Sequence, residues 1–335
     1  MVGYFPWQQA QWHRLSGAVA NGQLGHANLF SGREGAGHYE FAIEFAKLLL
    51  CEQATPEAYC GSCRSCNLFE AGNHPDFLLS APEEEGKTIT IEQVRGLANF
   101  YSLKAHYGGR KVAVIAPAEN MNRAASNALL KTLEEPPSGG NIILVTDRYD
   151  AISMTVRSRC QRTAFETINQ HEALGWLRSQ VGQLEQGGDP EKLLKASCGA
   201  PLLALQRAEQ GGIPVQEQLI ETWGALVAGR LNPLTASQSL EGLPVPLLVN
   251  ELAQLTYQLI TSKAQTEGLE GEALTLDRNL KACINGLNLK DLYAILDVIF
   301  EAKRQVFSKT NPRDADLMDT IWLFLHEYAG RRTAQ

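Results

Sequence analysis

The chain has 335 residues, 44% of them hydrophobic and 20% charged, with a formal net charge of −7. That size and balance describe a globular protein of two or three domains with cores of its own. The acidic surplus argues against a chain that grips nucleic acid tightly by itself, and no run of eighteen apolar residues is present to form a membrane span.

The opening residues, "MVGYFPWQQAQWHRL", lack the basic, apolar and small-residue succession of a signal peptide, so a cytoplasmic protein is expected. Trp7 and Trp12 are expected to pack on the first domain. "HANLF" (26–30) is a short apolar run of the buried-strand kind, and "FAIEFAKLLL" (41–50) has helical spacing. Between them lies "SGREGAGHYE" (31–40). Gly32, Gly35 and Gly37 are spaced like the glycines of a phosphate-binding loop, whose backbone N–H groups point at an anion from a helix start. The strand before and the helix after supply the context such a loop needs. Three glycines would also suit a plain tight turn. His38 stands where the loop lysine belongs, and Tyr39 where a Ser or Thr would hold magnesium. Imidazole is mostly neutral at pH 7, and a tyrosine hydroxyl lies too far from the backbone to serve a metal there. The loop therefore reads as degenerate and without a working nucleotide.

Four of the seven cysteines follow, as Cys51-x8-Cys60-x2-Cys63-x2-Cys66. Short Cys-x2-Cys turns bring sulfurs to one side of a metal, and zinc takes four thiolates tetrahedrally. The pattern predicts a structural zinc that pins an insertion poor in apolar residues; four reduced thiols in a small loop is the plainer alternative. A closed four-thiolate site leaves no open position for substrate. His74, ahead of Pro75-Asp76, reads as a turn residue rather than a ligand. The remaining histidines have no partners at ligand spacing.

"RKVAVIAP" (110–117) is a second buried-strand pattern, with "YGGRK" (107–111) as the turn before it. A hydrolytic site would place an acidic pair at the end of such a strand. Here Ala116-Pro117 stand there, and Glu119 is expected to be a solvated loop acid. "AASNALLKTLEE" (124–135) is an amphipathic helix ended by the prolines of "EPP", and "NIILVTD" (141–147) is a third strand. The alternation implies a parallel sheet with helices on its faces. From about residue 165 the pattern is helical. Asp189-Pro190 opens a helix, Gly199 stops it, Pro201 opens the next and Gly211-Gly212 close it, giving a small unit at about 165–208. Further helices are expected at 215–228, 245–263, 289–308 and 315–329.

The cysteine set, "HPD" (74–76), "NALLKTLEEPP" (127–137), "TVRSRC" (155–160) and "GAPLLAL" (199–205), in that order, resemble the AAA+ clamp-loader subunits of bacterial DNA polymerase III. The likeness spans essentially the whole chain and is strongest over 20–205. It favours the delta-prime branch over the gamma/tau motor branch: the loop lysine and the strand acids are missing, and Leu202 stands where the motor's "GxxR" arginine reaches nucleotide. The resemblance implies a RecA-like α/β domain at 1–164 carrying the zinc insertion at 51–66. A helical lid at 165–208 and an all-α collar at 209–335 would follow. It implies assembly with gamma/tau and delta subunits through the collar and the Arg159 face. Within that assembly the sliding clamp and primer-template DNA would be met, in replication by the DNA-directed DNA polymerase holoenzyme. Arg159 of "SRC" would act as an arginine finger in the neighbouring subunit's ATP site, where such a group is worth roughly a thousand- to hundred-thousand-fold in rate in GTPases. A surface ion pair is the ordinary fate of an arginine outside such a motif. Arg123 and Lys131 become candidate phosphate contacts. Two rivals remain: an active gamma/tau-like ATPase with a variant loop, and a zinc-dependent nucleic-acid-binding module.

Overall fold

The computed structural model describes residues 3–84, 87–107, 109–136, 138–165, 167–184, 188–209, 212–243, 245–268, 283, 287–306 and 314–330. The chain forms two compact units, Met1–Trp176 with Ala200–Leu203, and Leu177–Gly199 with Ala204–Gln335.

The first unit is built on five strands: β1 (Ala27–Ser31), β2 (Phe77–Ser80), β3 (Lys111–Ile115), β4 (Gly140–Thr146) and β5 (Gln161–Ala164). All pair in parallel in the order β2-β3-β4-β1-β5. Strands β1, β3 and β4 are buried along their whole length, which is why they read as continuous apolar runs. Strand β2 was not foreseen, and neither was β5. The latter is an edge strand of Gln161, Arg162, Thr163 and Ala164, of which only Thr163 is buried, so it carries no apolar signal. The register sets Ser31 beside Thr146, so the segments leaving β1 and β4 emerge side by side. That places the glycine loop next to Asp147.

Helices α1 (Gln9–Ala20), α2 (His38–Leu50), α3 (Arg64–Glu70), α4 (Ile91–Ser102), α5 (Arg123–Glu134) and the one-turn α6 (Met154–Arg157) complete the unit. Ala125, Leu129 and Leu133 of α5 share one face, and with Val94 and Leu97 of α4 they pack on Leu29, Ile115, Ile142 and Leu144 of the sheet. An aromatic group gathers around α2, where Trp12 meets Phe41 edge-on with ring centroids 5.5 Å apart and Phe30 meets Phe41 at 5.6 Å. The starts of α4 and α5 are capped by side chains: Thr90 accepts from the Gln93 N–H and Asn122 from the Ala125 N–H. Helix α5 ends at Glu134, ahead of Pro136; Pro137 lies outside the described residues.

Past the sheet come α7 (Gln170–Val181), α8 (Pro190–Ala196), α9 (Pro201–Glu209), α10 (Gly212–Val227), α11 (Pro233–Gln238), α12 (Val245–Gly268), α13 (Leu289–Val306) and α14 (Asp314–Gly330). Asp189 caps α8, and Gly199, at φ 76°, follows its end, as expected. Gly212 opens α10 instead of closing the helix before it; Gln210 and Gly211 lie outside the described residues. The unforeseen α11 is announced by Asn232-Pro233: Asn232 Oδ1 accepts from the Thr235 N–H, and the proline sits at the first helical position. The core of the second unit centres on Leu219, Trp223, Leu252, Leu255, Ile295 and Trp322. Beside it, the buried Arg207 of α9 meets the buried Glu251 of α12 at 2.7 Å. Among the described residues no helix is long and apolar enough to cross a membrane.

Candidate functional site

The glycine loop turns from β1 into α2. Gly35 and Gly37 have φ of 77° and 83°, the left-handed region that favours glycine. Neither has room for a side chain. A methyl on Gly37 would lie 2.6 Å from the Phe5 ring, and one on Gly35 would lie 2.7 Å from the Leu203 side chain. The Leu202 N–H donates to the Gly35 carbonyl at 3.2 Å. Trp7 Nε1 and Gln8 Nε2 both donate to the Ala36 carbonyl at 3.0 Å. Phe5 stacks on Trp7 with centroids 4.9 Å apart, and both meet the edge of Trp176. Nothing in the spacing of the glycines announces this cover, which comes from the N-terminal aromatic segment and from "GAPLL".

His38 lies inside the loop. Its Nε2 is 3.1 Å from Asp147 Oδ1, and its Nδ1 would be 2.8 Å from a methyl on Gly32. Tyr39 points outward and is exposed. Glu119 departs from the expectation of a solvated acid. Its side chain is 5% exposed, Oε1 accepts from the Asp147 N–H at 3.2 Å, and Arg148 Nε lies 4.0 Å away. The 3-10 turn Ala118–Asn120 folds it back across the sheet edge toward the end of β4, a return no local signal reveals. So His38 at the start of α2 and Glu119 beyond β3 both engage Asp147, just past β4.

Arg159 follows α6. Its Nη2 meets Glu134 Oε1 at 2.7 Å, and its Nη1 donates to the Thr155 carbonyl at 2.9 Å and to Ser158 Oγ at 3.4 Å. Arg157 is held by Asp150 at 3.1 Å and lies over the Tyr149 ring. Burial pushes the Cys160 thiol up to about 11, as suits a packing residue. Arg123 and Lys131 are exposed on α5.

Cys51, Cys60, Cys63 and Cys66 converge, with all four sulfurs within 4.8 Å of one another. The Cys51–Cys63 and Cys60–Cys66 sulfurs are each 4.0 Å apart. A tetrahedral zinc with bonds of ~2.3 Å separates its sulfurs by about 3.8 Å, so the set fits such an ion. Backbone N–H groups turn toward the sulfurs: those of Gln53 and Cys60 donate to Cys51, that of Cys63 to Cys60 and that of Cys66 to Cys63. The Ser62 and Cys63 N–H groups hold the Cys60 thiol down to about 6, whereas burial pushes Cys51 and Cys66 up. The module is bolted to the helix behind the glycine loop. Cys51 caps the end of α2, Tyr59 donates to Glu44 at 2.7 Å, and Lys47 bridges Glu44 and Glu70.

His74 is not a ligand. Its Nδ1 accepts from the Asp76 N–H at 3.0 Å, so Nε2 carries the proton and donates to Ser65 Oγ at 2.7 Å; Ser65 in turn donates to the Leu50 carbonyl. Burial lowers the imidazole's pKa, and with no lone pair facing the serine it cannot act as its base. Asp76 is fully buried. It accepts from the N–H groups of His106 and Tyr107 at 2.8 and 2.9 Å, with Lys111 Nζ at 3.6 Å.

A parallel sheet in this order, with a glycine loop after its first strand, defines a nucleotide-loop α/β fold of the AAA+ class. A family model described as "DNA polymerase III, delta subunit" matches residues 7–169. The DNA polymerase III subunit delta' of Pseudomonas aeruginosa is 32% identical over 325 residues, covering 96% of this chain and 97% of that one. The Escherichia coli subunit of the same name is 28% identical over 334 residues, covering 97% and 96%. The tau subunit of Bacillus subtilis is 28% identical over 326 residues but only 57% of its own length is covered. The chain belongs to the DNA polymerase III delta-prime family.

Proposed function

We propose that this chain is a non-hydrolysing, cytoplasmic member of the clamp loader, which helps place the sliding clamp on primer-template DNA and lends Arg159 to the ATP site of a gamma/tau neighbour. The covered loop carries the first half of this reading. Phe5 and Leu203 leave no room for a side chain on Gly37 and Gly35, which would cradle phosphates, and His38 is paired with Asp147. A lysine and a hydroxyl for magnesium are missing from the same place. Family membership and the position of Arg159 at the surface, two residues beyond α6, support the second half. Within this reading 165–208 is the lid and 209–335 the collar that joins gamma/tau and delta. The four thiolates hold a structural zinc.

Purified chain is expected neither to bind a fluorescent ATP analogue nor to turn over ATP. In a loader reconstituted with gamma/tau and delta subunits, Arg159→Ala is expected to leave the fold intact and to lower hydrolysis at the site it serves by roughly a thousandfold or more. ATP turnover by the chain alone, or unchanged hydrolysis by the Arg159→Ala loader, overturns the reading.

A further inference from the structure

We propose that Glu134 parks Arg159: the carboxylate holds the finger retracted on its own subunit, and engagement with a neighbour exchanges one oxyanion, Glu134, for another, a nucleotide phosphate. The inference rests on the reading of Arg159 as a finger and makes Glu134 a positioning residue for it. The guanidinium reaches three acceptors of its own subunit: the Thr155 carbonyl, Ser158 Oγ and Glu134 Oε1. Nη1 turns back to the Thr155 carbonyl, four residues earlier, so the side chain folds along α6 instead of standing away from it. Nη2 reaches across to Glu134, the last residue of α5. A carboxylate at that end of a helix faces the negative pole of the helix dipole, an unfavourable position that a cation alongside relieves. The pairing thus suits both partners while the subunit is alone.

The pair is also weak enough to release. Arg159 and Glu134 are 36% and 52% exposed in their side chains. Solvent-exposed pairs of this kind contribute about 0–1 kcal/mol. A phosphate oxygen in a dry site is a stronger acceptor for the same fork of N–H groups, so exchange runs toward the nucleotide once a neighbour presents it. Arg157, by contrast, is half-buried between Asp150 and the Tyr149 ring.

The test uses the reconstituted loader. Glu134→Gln keeps the shape and removes the charge; it is expected to raise kcat/KM for ATP about two- to fivefold, the factor that ~0.4–1 kcal/mol represents. Glu135→Gln removes the same charge one residue away and controls for general electrostatics. In an Arg159→Ala background Glu134→Gln is expected to change nothing, an outcome a merely structural role of Glu134 would not produce. If Arg159→Ala lowers hydrolysis while Glu134→Gln leaves kcat/KM unchanged or lowers it, the parking role falls and the finger stands. If Arg159→Ala itself has no effect, the finger reading falls and takes the parking role with it.

Discussion

Asp76→Asn is a nearly isosteric change with a large expected cost. The carboxylate is fully buried and takes N–H donors from His106 and Tyr107 on one side and faces the Lys111 ammonium on another. Burial alone would raise its pKa, yet those two N–H groups, the His106 side chain and the Lys111 charge together bring it below the ordinary 3.8. An asparagine keeps one oxygen but turns an NH2 toward groups that are already donors. It also leaves Lys111, 6% exposed in its side chain, over the Phe100 ring with no counter-charge. Breaking one half of a buried pair costs about 3–5 kcal/mol. At about 2–4 °C per kcal/mol for a unit of this size, the melting temperature falls by roughly 6–20 °C. Urea unfolding followed by circular dichroism reads the same loss as a lower midpoint at unchanged slope. The pH dependence supplies a second readout. Because the folded pKa is depressed, Asp76 contributes fully at neutral pH, and its contribution is lost as the pH falls below 3.8 toward the folded value. The variant lacks that part of the acid sensitivity. A loss under ~1 kcal/mol would show that water reaches the carboxylate and would refute the argument.

Metal analysis of protein purified without chelator should find one zinc per chain, and Cys63→Ser should lower that content and open the loop between Cys51 and Cys63 to protease; an unchanged digest of metal-free protein would remove the structural role. In the second unit, Arg207→Met should cost about 3–5 kcal/mol by stranding the buried Glu251, whose pKa is already raised by burial against the pull of Arg207. Arg207→Met with Glu251→Leu should recover most of that loss in the same urea titration, since two apolar side chains leave no buried charge behind. A double variant as weak as the single would place the deficit in packing instead of charge.

The buried strands, α2, α5 and the four long C-terminal helices were legible because burial on both faces, or on one stripe, writes itself into residue order. The cysteine cluster was legible for a different reason: two Cys-x2-Cys steps are a geometric device for bringing sulfurs together. What escaped were features made by distant segments. Strand β5 pairs through its backbone and exposes three of four side chains, so its polar sequence says loop. Glu119 reads as exposed because it follows a strand and a proline, and only the fold returns it to Asp147. Arg159 and Glu134 are 25 residues apart, and no periodicity links the end of one helix to the turn after another.

The glycines of the loop answer to packing as well as to any ligand. In a working phosphate loop the glycines let backbone N–H groups close on an anion. Here the same residues are required by packing. Gly35 and Gly37 sit at positive φ, and the methyl of an alanine at either would strike Leu203 or Phe5. Gly32 leaves room for the His38 ring, which a side chain at 32 would displace from Asp147. Packing and backbone conformation are by themselves enough to require glycine at these positions. A lysine placed at 38 would bring its ammonium to the Asp147 carboxylate that His38 now meets.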